Sequence, residues 1–152
     1  MTSQAAQRHG GFTVIELIAC IVIMGVLAAV TAPRFVNMQA FAERGYADDI
    51  ASSLRYARRI AIASDCRVRI TIDAAGYSTW QQATCGAGAW VTPVLRPDGT
   101  PLDGNTPDDV TIAPATTVEF LPSGVAATGS IAITVGARTV SIDGPTGRVD
   151  VQ

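Results

Sequence analysis

A chain of 152 residues with a formal net charge of −2 and a sequence pI near 5.2 has the length for one modest core. Its acidity argues against a dedicated nucleic-acid binder, whose domain would be basic. Few charges beside abundant Thr, Gly, Ala and Val suit an extracytoplasmic β-rich domain better than a cytosolic enzyme, and no Walker loop, dinucleotide-binding glycines or paired metal ligands occur.

The chain starts with a polar stretch, MTSQAAQRHGG, and passes straight into an apolar run. From Phe12 to Ala32 there are 21 residues, of which only Thr13, Glu16, Gly25 and Thr31 are not plainly apolar. As a helix this run measures about 30 Å, the thickness of a bilayer's hydrocarbon core. A secretory signal would place its small-residue cleavage site after the apolar core, whereas here Gly10 and Gly11 precede it. An acid such as Glu16 in a lipid span is costly and calls for a partner cation; the plain alternative is an ordinary anchor carrying a chance acid. Arg8 and His9 ahead of the run keep that end cytoplasmic and send the rest of the chain outward.

The residues Gly11, Phe12, Thr13, Glu16 and Leu17 resemble the class III leader of type IV pilins and pseudopilins. The resemblance implies that prepilin peptidase cuts between Gly11 and Phe12 and methylates the new Phe12 amine. Glu16, then the fifth residue of the mature chain, would pair with the Phe12 amine of a neighbouring subunit and set assembly register. Pro33 falls where such chains often carry a helix-kinking proline, in keeping with its missing backbone donor. The implied partners are the peptidase, other pilins or pseudopilins and inner-membrane lipid. The implied location is the bacterial inner membrane, crossed once, with the C-terminal domain periplasmic until it enters a pilus or pseudopilus.

Residues 34–64 remain helical in pattern but one-sided. Tyr46, Ile50, Leu54, Ala57 and Ala61 make an apolar stripe at helical spacing, opposite Arg44, Asp48, Ser52, Arg55 and Arg59. The expectation is one continuous helix serving two surroundings, with Gly25 and Gly45 as weak points. Arg58 and Arg59 are placed near its C-terminus, where cations complement the macrodipole; the alternative for Arg55, Arg58 and Arg59 is contact with DNA.

After Ser64 the period becomes two. Arg67–Ile72 and Tyr77–Gln82 flank a DAAG turn and read as a hairpin. With residue 72 facing 77, Cys66 lies opposite Ala83, and Cys85 is a diagonal neighbour about 7 Å away, near the limit for bridging without a local bend. An oxidising periplasm favours a Cys66–Cys85 disulfide; the alternative is two buried thiols. Cys20, in the apolar run, reads as a small apolar residue.

The segment 85–109 is rich in Gly, Pro and Asp and reads as an irregular excursion with one short strand near Trp90–Leu95. Asp98, Asp103, Asn105, Asp108 and Asp109 could hold calcium, though they lack EF-hand spacing, and the same residues are ordinary turn formers. No metal or cofactor is assigned. Further strands are expected at Val110–Ala113, Thr117–Phe120, Ile131–Val135, Arg138–Ile142 and Arg148–Val151, in a sheet with one face against the helix stripe.

This order, with Phe120-x-Pro122-x-Gly124 and the terminal Gly147-Arg148-Val149, is similar to GspH/FimT-type minor pilins and pseudopilins, a group that includes the minor pilin of mannose-sensitive haemagglutinin pili. The implied fold is α+β: a long N-terminal helix packed on a C-terminal antiparallel β-sheet domain. The implied division is a leader at 1–11, a membrane and filament-core helix at 12–33, an amphipathic half at 34–64 and a periplasmic β domain at 65–152. The implied function is that of a minor pilin of the haemagglutinin-pilus type. The alternatives are a type II secretion minor pseudopilin, or a DNA-binding minor pilin using Arg138 and Arg148 or Arg67 and Arg69; nucleic acid is otherwise not an expected partner. No enzyme is expected, because the single histidine, His9, would leave with the leader and no catalytic constellation assembles without it.

Overall fold

The computed structural model describes residues 13–31 and 38–152, in two compact units divided between Asn37 and Met38. Gly11, Phe12 and Pro33 lie outside the described residues, as does the join between the two expected helix halves.

In the first unit, α1 spans Val14–Thr31, VIELIACIVIMGVLAAVT. Its large apolar side chains from Val14 to Leu27 are exposed, from 47% at Ile18 to 76% at Val14, and a helix apolar on all sides is suited to surroundings other than water. Among the described residues no helix is long and apolar enough to cross a membrane. The 18 residues of α1 rise about 27 Å, a little short of the hydrocarbon core, and the ends of the 12–32 run lie outside the described residues.

The second unit is built on α2, Met38–Ser64. Tyr46, Ile50, Leu54, Ala57 and Ala61 are all buried, and the opposite stripe Arg44, Asp48, Ser52, Arg55 and Arg59 is exposed, as the periodicity requires. Alanines at 47, 51, 57 and 61 leave the backbone close to what packs on it. The helix stops where Asp65 takes a left-handed φ of 54°, a conformation that a short polar side chain tolerates at a helix end. No basic residue lies in its last turn. Arg58 and Arg59 therefore sit too far inside for the expected macrodipole role, which fades beyond that turn.

Nine strands follow: β1 (Val68–Asp73), β2 (Gly76–Thr84), β3 (Ala87–Pro93), β4 (Asp103–Asn105), β5 (Ile112–Ala113), β6 (Thr116–Phe120), β7 (Ile131–Val135), β8 (Arg138–Asp143) and β9 (Arg148–Val151). Instead of the single sheet expected, they form two. One runs β3-β2-β1-β6 with β4 also on β2, and the other runs β5-β7-β8-β9. The expected hairpin is present in its expected register, with Ile72 opposite Tyr77. The supposedly irregular excursion contributes two strands, both paired to β2.

Both sheets turn alternate residues onto α2. Val68, Ile70, Ile72, Val118 and Phe120 come from the first, and Ile133, Val135, Val140, Ile142 and Val149 from the second. Each such side chain contributes about 1.5–3 kcal/mol relative to exposure. The two faces thus complete a core that the helix stripe alone could not close.

Candidate functional site

At the helix start, the N–H of Glu16 donates to the carbonyl of Thr13 at 3.1 Å and to Thr13 Oγ1 at 3.3 Å. Thr13 is thus the N-cap of α1, and Thr13-x-x-Glu16 has the spacing of a capping box. This role was readable from the sequence, since a Thr three residues before a Glu and ahead of an apolar run is a helix-start signal. Glu16 itself is exposed in the first turn, where a negative charge complements the helix dipole.

In the second unit, α2 reaches across to both sheet-side motifs through its arginines. Arg58 Nε donates to the Gly124 carbonyl at 2.9 Å, and Arg55 donates to the Val149 carbonyl through Nη2 at 2.8 Å and Nε at 3.2 Å. Gly124 closes a turn by donating to Leu121 O at 2.8 Å. Gly147, with φ +63°, has no space for a side chain: a Cβ there would strike the Gly124 carbonyl and Arg58. The Phe120-x-Pro122-x-Gly124 and Gly147-Arg148-Val149 segments therefore lie together under α2. Sequence reasoning had grouped them only by resemblance, and no local signal links Arg58 to a carbonyl 66 positions away.

Two clefts open beside this clasp. One of about 410 Å³ is lined by Arg55, Arg58, Arg59, Thr146, Arg148 and Val149. The other, about 460 Å³, shares Arg55 and Arg59 and adds Asp49, Tyr56, Arg96 and Leu102.

The loop that forms the wall of the larger cleft is held by Tyr77. Its hydroxyl donates to Asp49 Oδ2 at 2.8 Å and accepts from Ser53 Oγ at 2.9 Å and Arg96 Nη2 at 3.1 Å. Arg96 also donates to the carbonyls of Pro101 and Asp103, each at 2.7 Å. Burial, partly offset by the Ser53 bond, raises the Tyr77 pKa above the ordinary tyrosine value. Tyr46, bonded to Thr106, is raised for the same first reason.

Asp98 accepts from the hydroxyl and amide of Thr100, and these bonds hold its carboxyl below the usual range. It is engaged as a turn former. Among the described residues no three Asp, Glu, His or Cys side chains converge as metal ligands would, so Asp98, Asp103, Asp108 and Asp109 do not form one cluster.

Cys66 and Cys85 are joined by a disulfide with their Cα atoms 4.5 Å apart, closer than the flat-hairpin geometry allows. The β2–β3 register slips twice, between Gln81 and Gln82 and between Gln82 and Thr84. Such irregularities bend a strand end. On the outer face of the first sheet, Glu119 pairs with Arg67 at 3.1 Å and Arg69 at 3.4 Å, and Arg69 lies 4.0 Å over the Trp90 ring. Arg148 pairs with Asp150 at 2.8 Å. Of the arginines named for a DNA contact outside α2, Arg67, Arg69 and Arg148 thus already face carboxylates, and Arg69 and Arg148 belong to two different sheets.

Residues 46–147 match the family described as "Type II transport protein GspH", and residues 6–32 match the "Prokaryotic N-terminal methylation motif". Over 75 residues, 49% of this chain, the sequence is 39% identical to the type IV narrow pilus major component PilA5 of Thermus thermophilus; the match spans 57% of that relative's length. Among solved structures, the type IV minor pilin FimU of Pseudomonas aeruginosa superposes with a TM-score of 0.54 at 17% identity, over 72% of this chain and 91% of that one. The minor pseudopilin EpsH of the Vibrio cholerae type 2 secretion system superposes at 0.57 and 12% identity, over 72% and 94%. At these identities the two superpositions establish a shared fold.

Proposed function

Because the chain belongs to the GspH family of type II transport proteins, we propose that it is a minor filament subunit of the haemagglutinin-pilus type, stored in the inner membrane and then assembled. The observation that supports its filament-subunit part is the succession of two matches, the methylation motif over residues 6–32 and the family's domain from residue 46 onward; the haemagglutinin-pilus type rests on the sequence resemblance alone. The family consists of pilus and pseudopilus building blocks rather than enzymes, so the mechanism is assembly.

Prepilin peptidase cuts between Gly11 and Phe12 and methylates Phe12. The 12–33 helix holds the subunit in lipid with residues 65–152 on the periplasmic side. Glu16 then meets the Phe12 amine of a neighbour, and the pairing offsets the cost of a carboxylate in an apolar setting, a few kcal/mol. Pro33 relaxes the helix between its two halves, and the Cys66–Cys85 bridge suits the oxidising compartment. A second reading, a type II secretion minor pseudopilin, draws support from the EpsH superposition.

Expression of the full chain with prepilin peptidase tests the common part. The expected product starts at a methylated Phe12, and Glu16→Ala leaves cleavage intact while abolishing entry into filaments. An uncut chain overturns the proposal. Deleting the gene and comparing pilus-dependent adhesion with exoprotein secretion then separates the two filament systems.

A further inference from the structure

The arginines of α2 form a charge pattern that the fold does not explain. Arg55, Arg58 and Arg59 are like charges three and four residues apart on one helix, a spacing that destabilises it. The helix dipole does not account for them, since the last turn of α2 holds no base. Arg55 and Arg58 are tethered only to neutral carbonyls, those of Val149 and Gly124, so their positions are fixed while their charge is left uncancelled. Arg59 is exposed, and among the described residues it makes no hydrogen bond or ion pair. It is also shared by both clefts, of about 410 and 460 Å³.

We propose that these paired clefts dock an acidic peptide segment of another protein subunit, its carboxylates received by Arg59 together with Arg55 and Arg58. The guanidinium fork matches a carboxylate in plane, and charge-assisted bonds of this kind are the strong ones. The shape favours a peptide over a nucleic-acid backbone. Each cleft has room for a few side chains, and the walls include Tyr56 and Leu102, which suit a polypeptide. Asp49 stands in the larger cleft, and Asp150 neutralises Arg148 at the rim of the smaller; the positive charge is therefore confined to a short patch, which a flexible peptide meets with selected carboxylates and a rigid duplex backbone does not follow. The proposal rests on the filament-subunit reading only for the source of the segment.

The experiment uses the full chain in neutral detergent micelles at low salt, with fluorescein-labelled decaglutamate as the probe and a short DNA duplex as the rival. Saturable peptide binding is expected, weakened by about tenfold or more in Arg59→Gln and lost on adding salt. Arg59→Gln removes no internal bond and relieves a like-charge pair, so its melting temperature should match the parent's or lie slightly above it. Arg138→Gln, on β8, should bind the peptide as the parent does. The proposal is overturned by absent peptide binding, by equal losses in the two variants, or by tighter duplex binding that depends on Arg59. Binding in micelles needs neither leader cleavage nor filaments, so an uncut precursor would defeat the assembly reading and leave this one standing, and the reverse also holds.

Discussion

The hydroxyl of Tyr77 has one proton to give and two lone pairs to fill, and all are used: Asp49 takes the proton, and Ser53 and Arg96 supply the donors. Tyr77→Phe leaves those groups short of a partner in a buried setting, and a loss of about 1–3 kcal/mol is expected in urea unfolding. Because the folded-state pKa of Tyr77 is raised from 10.0, its contribution is fully present below that pH and is lost as pH rises through the folded value. Unfolding curves taken upward from neutral pH should therefore be flat until about pH 10 and then fall. In Tyr77→Phe the fall should be shallower, leaving the part due to Tyr46, and an unchanged alkaline limb would defeat the assignment. At Gly147 the argument is steric. Its left-handed φ and the adjacent Gly124 carbonyl leave no place for a Cβ, so Gly147→Ala should cost at least about 1–2 kcal/mol. A rise in melting temperature, the usual result where alanine fits the native backbone, would show that the turn relaxes freely.

The elements differ in how much of them local sequence could reveal. Strands β7 and β9 have the bounds read from their alternation, and the β1–β2 register follows from the tight turn between them. Strand β3 reads as a strand only from Trp90 onward and β4 reads as loop, because Gly, Pro and Asp depress strand propensity; what makes them strands is pairing with β2, which no local pattern displays. The disulfide fastens the far end of that same hairpin. Its cysteines are 19 positions apart, and closing a loop of this size in the unfolded chain corresponds to about 3 kcal/mol in the chain-entropy account. Adding a reductant, or replacing both cysteines with serine, should lower the urea midpoint accordingly with the slope little changed. No shift would mean that the β2–β3 ladder holds this end unaided.

Every buried hydrophobic side chain of the described protein falls between Tyr46 and Val149. A chain beginning at Met38 should therefore fold with the same melting temperature as the parent, as checked by circular dichroism, and should stay in solution without detergent because the exposed apolar α1 is gone. A molten fragment would show that the core needs what precedes it. At this scale the sequence by itself determined the apolar run, the acid near its start and the one-sided stripe of α2, because hydrophobic spacing along one helix is a local property. The helix-plus-antiparallel-sheet class followed from the change of period after Ser64. The cap made by Thr13 and Glu16 lay within four residues of sequence as well, a helix-start signal beside the charge first noticed there. Only the tertiary structure decided that the strands divide into two sheets and that Arg55 and Arg58 hold carbonyls far along the chain. Both depend on partners brought together by packing, where burial outweighs local preference.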